Sequence, residues 1–236
     1  IAVISRRIVL LFILFLASGS WALSEPDFDQ NRARLLGHMI QQQLSRNHYS
    51  QKPTDDNLSH AAFDLYLKQL DFQKRFLLQE DVAQLRAYQD QVDDAIRRGR
   101  LELPETGRNL LNLRIAQVQK MTSELLAGPF DYSLQETLQT DPEKLAFAAD
   151  LDQLRERWRK ILKFQILARY IDLREDEVGV DDKGGLLPVQ EEKEQELLQT
   201  AQEKVTKSIS SLLERMLQET LQDHYDRYLN AIARAF

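Results

Sequence analysis

Residues 66–82 read YLKQLDFQKRFLLQEDV. Tyr66 and Leu70 continue the helical spacing of Leu58, Ala62 and Leu65 before them, and Val82 and Leu85 open a new helical series. Between the two, LDFQKRFL keeps phase with neither. The reading is a corner between two helices. A turn at Leu70-Asp71 suits aspartate, whose short carboxylate bonds back to nearby backbone amides. Phe72, Phe76 and Leu77 are then expected to bury against the flanking helices, each contributing on the order of 2 kcal/mol. Tyr66, Leu70, Asp71, Phe72, Phe76, Leu77 and Asp81 are therefore read as an architectural corner.

Outward from the corner the chain reads as helix after helix. Upstream, Pro26 suits a first turn, and Leu35, Leu36, Met39, Ile40 and Leu44 follow at helical intervals. KPTDDNLSHAAFDLYLKQL restarts with Thr54 as N-cap. Downstream, one helix is predicted from Gln79 through Val82, Leu85, Val92 and Ile96 to Arg97-Arg98-Gly99, where basic residues and a glycine mark the stop. Pro104 opens the next, carrying Leu111, Ile115, Val118 and Leu125 and ending at Gly128-Pro129. Asp141-Pro142 predicts the start of a longer helix, with Leu151, Leu154, Trp158, Ile161 and Gln165 on one face. Residues 174–188, REDEVGVDDKGGLLP, lack apolar periodicity and read as an acidic linker or insertion. Residues 189–236 read as one long helix or a helix pair. The expected fold class is all-α: a multi-helix domain of antiparallel amphipathic helices over residues 23–173, then the linker, then the C-terminal helices, with no significant sheet.

Composition narrows the function classes. The chain has 236 residues, 43% hydrophobic and 29% charged, enough to bury a core. A net charge of -6 and a pI near 5.4 give no basic surface for phosphates, so no nucleic-acid partner is expected. With no cysteine, thiolate metal sites and Cys nucleophiles drop out. His38, His48, His60 and His224 form no H-E-x-x-H pair, no serine sits in G-x-S-x-G or S-x-x-K, and Gly184-Gly185 lacks any phosphate-loop context. No metal, no cofactor and no catalytic residue is predicted. At the N-terminus, Arg6 and Arg7 precede the apolar run 8–16, and Ser20 and Ala22 stand at the small-residue positions of a cleavage site. Residues 1–22 are read as a signal peptide cut after Ala22, which places the mature chain in the periplasm; an uncleaved N-terminal anchor is the alternative. The run is far short of the roughly 20 residues a permanent span needs.

HYS at 48–50, AFDLYLKQLDFQKRFLLQEDVAQL at 62–85, DLDQLRERWRKILKFQIL at 150–167 and DRYLNAIARAF at 226–236 occur in an order that resembles the N-terminal region of the tail-specific proteases. These are the periplasmic carboxy-terminal processing peptidases of the Prc family. Tyr66, Leu67, Leu70, Asp71, Lys74, Phe76, Leu77, Asp81 and Val82 carry the match. The resemblance implies a non-catalytic helical domain, followed in the family by a PDZ domain and a peptidase domain with a serine nucleophile and a lysine base. Neither catalytic residue has a counterpart here, so the chain is expected to be truncated before those domains. Implied partners are those two domains, unfolded or tail-exposed protein substrates and a periplasmic adaptor protein. Tyr225, Tyr228, Leu229, Ile232 and Phe236 then form an aromatic-rich stripe, expected to be the junction to the missing domains and partly exposed here. The competing reading is a free-standing periplasmic adaptor or chaperone that binds non-native chains.

Overall fold

Helical periodicity is realised along the chain. The computed structural model describes residues 55–179 and 185–236, together with positions 31, 34, 35, 37–39 and 42. Among them are seven principal α-helices: α1 (Asp56–Leu70), α2 (Gln79–Arg86), α3 (Val92–Arg98), α4 (Leu103–Ala127), α5 (Leu151–Val178), α6 (Glu191–Leu217) and α7 (Leu221–Ala235). No strand forms among the described residues, and Leu78 and Ala148 form an isolated parallel bridge. The fold is all-α. The signal-peptide reading of residues 1–22, the His48–Ser50 block, Thr54 and most of the linker's glycine-rich centre lie outside the described residues. So do Leu36, Ile40 and Leu44; Leu35 and Met39 of the same stripe are exposed.

Two helix pairs are bridged by α4. Helix α1 lies against α7, and α5 lies against α6, while α4 touches α2, α5, α6 and α7. The α1 face that faces inward is Leu58, Ala62, Phe63, Tyr66, Leu67 and Leu70. Helix α6 offers Leu197, Ala201, Val205, Ile209 and Leu213, one residue per turn on one line. The helices on either side of residues 180–184 belong to one compact unit, residues 31–236. No described helix is long and apolar enough to cross a membrane.

Element boundaries depart from the sequence reading in ways that have local causes. The N-cap of α1 is Asp55, whose carboxylate accepts the amides of Asn57 and Leu58. The single helix expected over 79–99 is two, parted by a 3-10 turn at Gln89–Gln91. Leu85 and Val92 are seven residues apart, so the apolar pattern stays in phase across the break and conceals it. Asp141 caps only a 3-10 turn, Pro142–Lys144, and α5 starts at Leu151 on the cap Asp150, whose side chain accepts the amide of Gln153. The intervening chain is drawn instead to the corner, where Gln79 donates to Ala148 O at 2.9 Å. Leu151 is 37% exposed, and the inward face of α5 is Leu154, Trp158, Ile161, Leu162, Ile166 and Tyr170. Residues 174–178 of the expected linker are the last turn of α5. The final segment is a helix pair, because Thr220 caps α7 with Asp223 in a reciprocal box.

Candidate functional site

The corner between α1 and α2 is organised by one carboxylate. Asp71 is 5% exposed and accepts the amides of Arg75, Phe76 and Leu77, each at 2.9 Å. Burial raises its pKa, against the pull of those donors and of Arg157. Lys74 adopts the left-handed conformation (φ 51°), and its amide closes the turn onto Asp71 O at 3.1 Å. Phe76 and Leu77 are buried. Phe72 is not: at 49% exposure it stands outside, contrary to expectation. It follows Asp71 at the outer bend of this turn, with the Lys68 ammonium 5.5 Å from its ring centre.

The start of α5 grips the corner. The indole of Trp158 donates to Arg75 O at 2.7 Å, and its ring meets Phe76 edge-on at 5.9 Å. Arg157 donates to the carbonyls of Lys74 and Ala146. The Lys74 ammonium bonds Pro142 O at 2.9 Å and also Leu145 O. Three separated parts of the sequence, the corner, the run 142–146 and the start of α5, are thereby joined without a sheet. On the other side, Asp81 takes the amide of Leu78 (2.7 Å) and is clasped by the Arg114 guanidinium at 2.8 and 2.9 Å. Asp81 is fully buried and Arg114 6% exposed, so the pair links α2 to α4 where water does not screen it. The run before the corner's partner segment is fixed by Glu136, which accepts from Arg159 and, at 2.7 Å, from Lys163. Those two bonds lower the Glu136 pKa to about 2.

The aromatic stripe of α7 is closed. Tyr225, Tyr228, Leu229, Ile232 and Phe236 are all buried, which corrects the expectation of partial exposure. The apolar face of α1 needs a cover, and α7 supplies it: Tyr66 and Tyr228 meet edge to face, ring centres 5.7 Å apart. The Tyr225 hydroxyl reaches Glu105 Oε1 at 2.7 Å and lies 3.0 Å from Leu101 O. Beside the stripe, His224 is fully buried, Arg227 lies 3.2 Å from its Nδ1, and Glu219 lies 3.4 Å from its Nε2. Burial, reinforced by Arg227, lowers the His224 pKa to about 4. Among the described residues no cluster of three His, Cys, Asp or Glu is placed to hold a metal ion.

Residues 40–236 match the protein family described as the tail specific protease N-terminal domain. The chain belongs to that family. It is also similar to the tail-specific protease of Haemophilus influenzae, 26% identical over 192 residues, which is 81% of this chain and 24% of that protein. The chain thus spans about a quarter of the length of the curated relative it matches. In this tail-specific protease domain the corner residues Asp71, Phe76, Leu77 and Asp81 are brought together with Arg114, Arg157 and Trp158, which the sequence reading had not assigned to it, while Tyr66 and Leu70 lie instead against Gly107 of α4, and Tyr66 against Tyr228 of α7. A signal for Arg114 was present: it falls in the apolar series Leu111, Ile115, Val118 on α4, where a charge demands a buried partner.

Proposed function

We propose that this chain is the non-catalytic helical domain of a periplasmic C-terminal processing protease, exported by residues 1–22. It orients PDZ and peptidase domains that follow it and helps to admit unfolded or tail-exposed protein substrates. Family membership over residues 40–236 supports the reading. The observation that carries it is the seating of α7: its stripe is buried on α1, and its first turn is locked by the Thr220–Asp223 box. A domain joined to such a helix inherits a direction, which a frayed tail would not give it. The test compares this chain with the product of the same locus continued past residue 236, using an unfolded protein as substrate. Cleavage is expected from the longer product alone. Overpacking the α1–α7 seat with Ala231→Leu, at a fully buried position, should slow the longer product more on protein than on a short peptide. A locus that closes directly after Phe236, or a longer product indifferent to Ala231→Leu on both substrates, would overturn the proposal.

A further inference from the structure

Between the corner, the run 137–140 and the first turns of α5 lies a hollow of about 520 Å³, with Arg75, Arg157 and Lys160 in its wall. Arg75 is half-buried. Its backbone is fully used, the amide by Asp71 and the carbonyl by Trp158, yet its guanidinium has no hydrogen bond or ion pair with any described residue. A guanidinium that gives up water without a partner is destabilised, and burial indeed lowers the Arg75 pKa. Arg157, by contrast, is pinned by the carbonyls of Lys74 and Ala146, so its charge stays in place. Lys160 has a long 3.9 Å contact to Glu156, and Glu156 is itself held by Arg159 at 2.7 and 2.8 Å. The wall therefore carries three cations against one carboxylate, Glu156, with the buried Asp71 carboxylate acting on Arg75 and Arg157 from behind, and the balance is positive within an acidic protein.

The border of the hollow adds a second kind of unmet bonding. Residues 135–140 run without helix, turn or bend. None of their amides or carbonyls pairs with the backbone of another described residue. The run is nonetheless fixed at its start, where Lys163 holds Leu134 O at 2.8 Å and, with Arg159, the Glu136 carboxylate. An anchored backbone without bends, its groups unpaired by the backbone of any described residue, is a template for an added strand. A free phosphate would satisfy the guanidinium but not this edge. An extended polypeptide satisfies both, because its main chain returns donors and acceptors in register and its end carries a planar carboxylate that fits the guanidinium fork.

We propose that the hollow binds the C-terminal end of an extended polypeptide, its α-carboxylate on Arg75 with Lys160 beside it, and its preceding residues paired along Thr137–Thr140. This goes beyond the domain-orienting role and does not depend on it, since the present chain alone should bind. The experiment is fluorescence anisotropy of the full chain with a short neutral peptide bearing a free α-carboxylate, its C-terminal amide, and an amide with one internal aspartate. The free acid should bind about tenfold or more tightly than either amide, as expected for a lost charge-assisted bond. Arg75→Gln should abolish that difference while moving the thermal transition little, because the guanidinium makes no hydrogen bond or ion pair with a described residue and acts on the Asp71 carboxylate only at a distance. Lys160→Gln should shrink the difference, and methylating alternate amides of the peptide should weaken binding. Equal binding of acid and amide, absence of binding, or an unchanged preference in both variants would overturn the proposal. An internal aspartate as good as the free terminus would also overturn it, since the hollow would then read acidic peptides in general.

Discussion

Truncating Asp71 to alanine removes the acceptor of three amides at once, two of them buried. An unmet buried donor costs about 1–3 kcal/mol, so Asp71→Ala should lower stability by about 3 kcal/mol or more in urea unfolding. Asp71→Asn keeps one carbonyl oxygen and should cost clearly less; equal losses for the two would mean that the side chain merely fills space. That this aspartate turns the chain back on its own amides was legible in the sequence, because the chemistry is local. Phe72 was not, because exposure at a turn depends on which way the bend opens, and Lys74 sets that with its positive φ. The Arg75 guanidinium was equally invisible: a vacancy in hydrogen bonding exists only once every neighbour has been placed.

Helices α1 and α4 approach closely at Gly107. A Cβ there would lie 2.1 Å from the Tyr66 hydroxyl and 3.3 Å from Leu70. The Tyr66 hydroxyl is buried with no hydrogen-bond partner among the described residues. Alanine in mid-helix is intrinsically better than glycine by about 1 kcal/mol, but here the clash should win and Gly107→Ala should destabilise by about 1–3 kcal/mol. In a Tyr66→Phe background most of that loss should vanish, since the obstructing oxygen is gone. An unchanged loss in the double mutant, read by thermal unfolding, would place the obstruction elsewhere. At this scale the helices themselves were readable because a 3.6-residue period survives any tertiary context that buries one face. Their ends were less so. The in-phase gap from Leu85 to Val92 hid a break, and the Asp141-Pro142 signal was overridden by the pairing of Leu78 with Ala148, a contact across some seventy residues that no local pattern announces.

The molecule as a whole should weaken in mild acid. His224 ionises near 6.5 when unfolded and at about 4 when folded. As pH falls through that window the unfolded chain takes up the proton first, so stability is lost between about 6.5 and 4 and then levels off, by up to about 3 kcal/mol. Glu219 and Asp223 oppose the shift, while Arg227 and Arg108 support it. Glu136 responds lower: its stabilising contribution, complete above the ordinary glutamate range, fades as pH falls toward about 2. Urea midpoints across pH 4–7 should fall with acid in the parent chain and flatten in His224→Gln; parallel slopes would show that the ring is not the group titrating. The seating of α7 on α1 bears also on how the chain is made. Helix α1 ends at residue 70 and its cover begins at residue 221, so at roughly 5–20 residues per second the ribosome has made α1 on the order of ten seconds before α7 exists. During that interval Phe63, Tyr66 and Leu70 lack their final cover, and anything that recognises nascent apolar helices has first claim on them.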